Sequence, residues 1–290
     1  MIWKRYNRAV FARFIPPATY VKHIYQKKLG KVLDLKNPKT FNEKIQWLKL
    51  YYRDPILPIM ADKYEAKDLV LRKLGENLCV PTVALFESAQ DIELEKLPQS
   101  IALKATHGSG WNIIARDTTE LDEKEVREYF RFWLRRSYYV YSKEWAYKHI
   151  EPRVICERLL IDEHDCLPVD YKVFCFNGRA NLVQVDFDRF VDHTRSFYDL
   201  SWNKLDFSFG YPMSNRSIPQ PHPLKKMIDI AEKISSGLPF LRVDFYVHED
   251  RPYVGELTFY PENGLGKFSD DNWNLKLGDM LKLPSLRVPS

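Results

Sequence analysis

Two acids and an arginine near the end of the chain have the spacing of a metal-assisted phosphoryl site. In Leu241–Tyr260, LRVDFYVHEDRPYVGELTFY, two apolar-alternating runs flank the polar loop His248–Pro252, so a fold-back is expected about Asp250. Pairing about that centre sets Asp244 opposite Glu256 and Arg242 opposite Thr258. A side-chain period of two then puts all four on one face. Opposed residues have Cβ atoms about 4.5–5.5 Å apart, where like charges repel. A cation between the carboxylates relieves that repulsion, and Mg²⁺ is bound by one or two carboxylates together with substrate phosphates. Arg242, beside the pair, suits a phosphate oxygen or a developing anion. The alternative is an exposed face with both acids in water and Arg242 in a surface salt bridge.

A second stretch, Ile101–Ala115 (IALKATHGSGWNIIA), carries Lys104 into the turn His107-Gly108-Ser109-Gly110. Glycines let backbone N–H groups approach an anion closely, and Ser109 and Lys104 add a hydroxyl and a charge at the same end. That is a phosphate clamp built on a hairpin, although a tight structural turn would use the same glycines. Glu157 and Leu160, both in CERLL (Cys156–Leu160), have the types to accept an adenine amino group and supply a backbone contact. Asp170 and Lys172 alternate onto one face of DYKVF, where solvated strand charges are the plainer reading.

These residues need elements to hold them. FNEKIQWLKLYY predicts a helix from Phe41 with Asn42 as cap, broken by Pro55 and Pro58; a second runs from Asp62 to Leu74 and stops at Gly75. Strands are predicted over 80–87, 101–105 and 111–115, then a helix over 120–139. Further strands follow over 154–160, 171–176, 180–186 and 196–198, a helix over 224–236, and the hairpin 242–258. Grouped antiparallel strands with helices between them argue for α+β. GxxxxGK[ST] and GxGxxG are both absent from the sequence.

With 290 residues, 45% of them hydrophobic and 41 aromatic, the chain has ample material for a core, which excludes wholesale disorder. No apolar run approaches the roughly 20 residues of a membrane-spanning helix. Four scattered cysteines without a CxxC pair suggest reduced thiols in a cytoplasmic protein, and the N-terminus lacks an apolar signal core. The charge of +5 is uneven: eight basic residues and no acid precede Asp34, interleaved with aromatics such as Trp3, Phe11 and Tyr20. Residues 1–33 therefore suit an anionic membrane surface, on the inner face if the protein is cytoplasmic, or they form a solvated helix packed on the main domain. No nucleic-acid partner is expected.

The order of these parts resembles the ATP-grasp superfamily: a lysine strand with a glycine loop, an acidic hinge strand, then a late RxD…E hairpin like that of D-alanine–D-alanine ligases. FNEKIQWLKLYYRDP, ADKYEAKDLV, LKATHGSGWNII, DYKVFCFNG, SFYDLSWNKLDFSFGYP and RVDFYV…GELTFYPENGLGKF look more closely like the TupA-like ATP-grasp proteins, over about residues 38–279. Those are associated with teichuronopeptide and other bacterial surface-polysaccharide or capsule biosynthesis. The resemblance implies an ATP-grasp fold in which two antiparallel-sheet lobes clamp a nucleotide: a basic helical extension over 1–60, a small lobe over 61–155 and a large lobe over 156–290. It implies ATP and Mg²⁺ as cofactors. Lys104 would contact phosphates or adenine, with His107, Gly108, Ser109 and Gly110 folded over the phosphates. Glu157 and Leu160 would hold adenine, and Asp170 the ribose. Asp244 and Glu256 would bind metal, with Thr258 standing where many relatives have an asparagine ligand. Arg242 would stabilise the transferring group, with Lys172 near a phosphate.

The expected enzyme is an ATP-dependent carboxylate–amine ligase that forms an amide through an acyl phosphate, joining an amino acid to an acidic sugar or glycan. A sugar kinase or a glycosyltransferase of surface-polysaccharide biosynthesis is the competing enzyme reading, and a polyanion-binding module built on the basic arm the non-enzymatic one.

Overall fold

The computed structural model describes residues 14–161, 166–188 and 192–285; Trp3 and Phe11 of the basic arm lie outside them. Among the described residues four helices, between Pro17 and Leu74, lead in. The first, α1 (Pro17–Leu29), buries Val21 and Tyr25. The second, α2 (Phe41–Tyr51), is capped by Thr40 rather than Asn42: Thr40 accepts from the Glu43 N–H while the Glu43 carboxylate accepts from the Thr40 N–H. Asn42 is buried and donates to the Gly266 carbonyl instead. Pro58 does not break the chain. It sits in the first turn of α3 (Ile56–Ala61), where a helix has no use for its missing N–H. Helix α4 (Glu65–Leu74) starts later than expected, because the Asp62 carboxylate caps the N–H groups of Tyr64 and Glu65.

Four strands, β1 (Thr82–Phe86), β2 (Ile101–Ala105), β3 (Asn112–Ala115) and β4 (Val154–Arg158), form an antiparallel sheet in the order β1-β4-β2-β3. A division at 155/156 would cut β4 in two; the pairing puts the change of sheet after Arg158. The long helix expected over 120–139 is two, α5 (Glu123–Leu134) and α6 (Tyr138–Ser142), the former capped by Asp122. Val126 and Phe130 of α5 close the core of this sheet with Leu103, Val154 and Cys156.

The second sheet is also antiparallel. Its strands are β5 (Asp170–Phe176), β6 (Arg179–Phe187), β7 (Thr194–Asp199), β8 (Lys204–Leu205), β9 (Phe240–His248) and β10 (Arg251–Thr258), ordered β10-β9-β5-β6-β7-β8. The fold is thus α+β with two antiparallel sheets. Val173, Val183, Val185, Val243 and Phe245 alternate onto one face, where α7 (Leu224–Ser235) packs with Met227, Ile230, Ala231 and Ile234 buried. The other face is divided. At one end Phe174, Phe176 and Phe240 meet Phe41 of α2 at centroid distances of 5.3–6.4 Å. At the other end the same register carries Asp170, Lys172, Gln184, Asp186, Arg195, Arg242 and Asp244. The apolar half anchors the N-terminal helices in the core of this sheet, and the polar half is left for a site. The last helix, α8 (Asp271–Met280), packs beside α2.

Candidate functional site

The register of the carboxylate hairpin is as expected, but for a different reason. Asp244 pairs with Glu256 and Arg242 with Thr258. The loop, however, is a two-residue turn at Glu249 and Asp250, both at positive φ (50° and 57°), as hairpin turns of the primed type require. On a turn that tight, Val254 opposes Phe245, and a bulge at Gly255 then restores Glu256 to Asp244.

The two acids live in different surroundings. Asp244 is sealed and already neutralised: Arg242 donates from Nε and Nη2 to its two oxygens, each at 2.7 Å, and Lys172 donates at 2.9 Å. The expected strain between bare carboxylates is therefore absent. Glu256 has a side chain 31% exposed, with Lys63 Nζ 3.7 Å away. Burial opposes the charges of Arg242 and Lys172, yet Asp244, with Asp170 added for Lys172, holds both groups above their usual range. Thr258 accepts from Arg242 at 3.2 Å, which makes it a support for the guanidinium rather than a ready metal ligand.

Asp170 is also committed. It is buried and accepts from Lys172, so it presents no open carboxylate to a ribose in this form. Two residues that sequence reasoning missed extend the strip: Asp186, held well below the usual carboxylate range despite burial by His193, Arg195 and Lys172, and Arg195, bonded to Asp186, the Phe209 carbonyl and Glu262. Isolated charges such as Asp186 in VQVDF and Arg195 in TRSFYD carry no pairing signal in sequence.

On the first sheet, Glu157 pairs with Ala102, two residues from Lys104, so the lysine and the acid meet diagonally on one face. Lys104 holds one carboxylate oxygen of Glu157 and Lys67 of α4 the other. Burial works against this acid, but the two lysines keep it below its ordinary range. A base arriving here would share Glu157 with both. Leu160 follows the end of β4, and the neighbouring Ile161 carbonyl interacts with His248 at 2.8 Å, tying the crossover to the hairpin tip.

The glycine loop spans 106–110, beyond the Ala105-to-Trp111 backbone bond. Gly108 is required by contact: a Cβ there would lie 2.5 Å from the Trp111 ring. Gly110, at φ +73°, is required by conformation. Ser109 is exposed and hydrogen-bonds the Tyr138 hydroxyl. His107 is spent differently from expectation: it is buried with Nε2 against the Trp133 carbonyl at 3.2 Å, an anchor for the loop. The residue that joins the regions is Lys63. It donates to the Gly108 carbonyl and faces Glu256. Lys63 and Lys67 border a shallow cleft with Met60, Cys79 and Glu256. Their i, i+4 spacing in ADKYEAK was the available signal.

A further buried pair lies behind the hairpin. Lys49 of α2 donates to Asn263 and is pushed down to about 7 by burial. Glu144 is pushed up to about 8, by burial first and then by Glu256, with Lys49 opposing.

The first sheet thus carries a lysine-anchored glycine loop, and the edge of the second carries the acidic hairpin. Residues 43–282 match the family model described as TupA-like ATPgrasp, and the chain belongs to that family. Among solved structures it is similar to a D-alanine–D-alanine ligase from Bacillus anthracis complexed with ATP (17% identity, 77% of this chain and 65% of that one, TM-score 0.44). It is also similar to an N5-carboxyaminoimidazole ribonucleotide synthetase in its ADP complex (15%, 75% and 50%, 0.45). A third is an L-amino acid ligase from Bacillus licheniformis (14%, 73% and 44%, 0.44). The chain thus spans less than two thirds of the length of each. No curated protein sequence matches it significantly. Among the described residues no helix is long and apolar enough to cross a membrane.

The donor set suits Mg²⁺, the cation that ATP-grasp enzymes use. Among the described residues no group of three or more His, Cys, Asp or Glu side chains converges on one point, but Mg²⁺ needs only one or two carboxylates plus phosphate oxygens. Glu256 is the oxygen donor open to the cleft, with Asp244 behind it across the hairpin.

Proposed function

We propose that this protein is an ATP- and Mg²⁺-dependent carboxylate–amine ligase that joins an amino acid to an acidic sugar or surface-polysaccharide precursor. The supporting observation is the hairpin itself: opposed carboxylates on adjacent strands, with Arg242 locked beside them and a lysine-anchored glycine loop facing them. The γ-phosphoryl group passes to a carboxylate oxygen, giving an acyl phosphate and ADP. The amine nitrogen then attacks the carbonyl carbon; the C–N bond forms, the C–O bond to phosphate breaks, and the amine gives up its proton. Glu256, with Asp244 behind it, would hold Mg²⁺, which neutralises phosphate charge. Lys104 and Lys63 face the phosphates with the 108–110 backbone, Glu157 and the Leu160 backbone take the adenine, and Arg242 steadies the charge on the transferring group. The glycan assignment draws support from the family association with bacterial surface polymers.

The test is nucleotide release over a panel of uronic acids paired with amino acids. ADP with inorganic phosphate and an amide supports the ligase. ADP with a phosphosugar would make it a kinase, and UDP or GDP a glycosyltransferase.

We also propose a cytoplasmic location in which the N-terminal arm touches an anionic membrane surface. Helix α1 turns Lys22, Lys27 and Lys28 outward, and Phe14 and Val32 beside it are 81% and 80% exposed. Deleting the arm would uncover core around Val21 and Tyr25, so the cleaner test replaces Lys22, Lys27 and Lys28 by glutamine. Unchanged sedimentation with anionic vesicles would overturn it.

A further inference from the structure

The chemistry above leaves one group unassigned, the base that takes a proton from the attacking amine. The polar half of the second sheet supplies one at the end away from the hairpin. His193, just before β7, lays its ring against that of Tyr211 with centroids 3.7 Å apart, and its Nε2 is buried 3.4 Å from Asp186 Oδ1. Burial opposes the charge of Asp186, yet His193, Arg195 and Lys172 hold that acid well below the usual carboxylate range. An ionised carboxylate only accepts, so the imidazole nitrogen facing it carries the proton and Nδ1 keeps its lone pair. The 3.4 Å separation is longer than a closed hydrogen bond, as catalytic pairs often are before substrate arrives. The other charged or titratable groups about this pair, among the described residues, belong to several elements. Arg195 bonds Asp186 at 2.6 Å, Lys172 lies 3.9 Å from the same acid, and Asp170 pairs with it in the strand register. Glu262 spends Oε1 on Arg195 at 2.9 Å, and Asp192 is exposed beside His193 in the chain.

We propose that His193, oriented by Asp186, is the general base that deprotonates the amine attacking the acyl phosphate. The inference rests on the ligase reading given above. His193 Nδ1 takes one proton from the ammonium nitrogen. The freed lone pair forms the C–N bond as the C–O bond to phosphate breaks, and the departing phosphate takes the second proton. The layout of the sheet gives the reactants their places. Lys172 of β5 touches Asp244 at the phosphate end, and β7 lies two strand spacings further on, about 10 Å, with β6 between them. That interval has room for the acyl carbon and the nitrogen that meets it. Gln184 of β6 stands in it, fully buried: its Nε2 donates to Asp186 at 3.0 Å, while its Oε1 has no donor among the described residues. An orphaned acceptor in that position is what an arriving N–H would satisfy. The two nearby acids are committed to Arg195, so the imidazole is the group left to accept a proton near neutral pH.

The test compares two nucleophiles in the full-length protein, supplied with Mg²⁺-ATP and the uronic acids named above. Hydroxylamine is uncharged near neutral pH and needs no base, whereas the amino acids arrive as ammonium ions. In His193→Gln the ratio of amide to hydroxamate is expected to fall about 100-fold or more. The deficit should shrink as pH is raised and free amine accumulates, a rescue that a merely structural histidine would not show. An unchanged ratio, or a deficit indifferent to pH, overturns the proposal. Nitrogen NMR of the imidazole in the native protein keeps the question open to refutation even if the variant fails to fold. The proton is expected on Nε2, and a proton on Nδ1 overturns the proposal. A native protein that forms no amide with any pair sinks the ligase reading and this role with it. Native amide formation with an unchanged ratio in the variant sinks the role of His193 alone.

Discussion

The carboxylate hairpin and the glycine loop meet at Lys63 but are held in opposite ways. The hairpin lies in a six-stranded sheet with a buried apolar face beneath it, and Asp244 is fixed by three donors from two cations. Thr106 at the base of the loop is buried and bonded to Glu151 and Arg153, but the tip is pinned by single contacts: Lys63 to the Gly108 carbonyl, Ser109 to Tyr138, and His107 to Trp133. A site needs both. Charges that must be in place before reaction belong where the fold over-determines them, and a cover that must open for exchange belongs where few bonds hold it.

The largest effect should come from breaking the hairpin. Asp244→Asn leaves Arg242 and Lys172 buried with a neutral neighbour, and removing one partner of a buried pair costs about 3–5 kcal/mol. Turnover should vanish and the melting temperature fall by several degrees. A melting temperature at or above that of the native chain would show the acid is not the partner these cations need. The loop side should yield less. Lys63→Met removes a charged hydrogen bond worth about 1.5–3 kcal/mol, so KM for ATP should rise about tenfold or more and amide exchange at 106–111 should speed up. Unchanged exchange there would mean that the lysine does not hold the loop.

Glu144 is buried near both regions, its charge felt by Tyr138 and Tyr147 and its own pKa raised by burial first and by Glu256 after it. Its folded-state pKa is raised, so its contribution to stability is present below about 4.5 and lost as pH rises through about 8. Glu144→Gln, which mimics the protonated acid, should therefore gain on the native chain between those values, by up to about 1.4 kcal/mol per pH unit. Melting curves at pH 5 and 8 check this; an equal offset at both would refute it. The smallest effect separates the two glycines. Gly110→Ala meets no neighbour and should cost about 1 kcal/mol through its left-handed backbone alone. Gly108→Ala must displace Trp111, and should change Trp fluorescence as well as KM.

Much of the fold was legible because local patterns carried it. The period-two runs around Asp250 set the hairpin, and the 3.6 period of Leu224–Ser235 set α7. Even there, compensation was invisible: a loop read as longer and a bulge not read at all cancelled to leave Asp244 opposite Glu256. Helix ends were less legible, since Thr40 outcompeted Asn42 only through the reciprocal bond from Glu43.

The sequence by itself determined the α+β class, the strand that carries Lys104, the opposed acids and the family, because each depends on neighbours in the chain or on motifs in order. Tertiary structure alone decided what those charges do to one another. Lys67 reaches Glu157 across 90 positions, Lys63 meets Glu256 across 193, and Lys172 meets Asp244 across 72. Sequence spacing holds no record of such pairs, since burial makes an unpartnered charge costly and only the folded packing settles which partner is within reach.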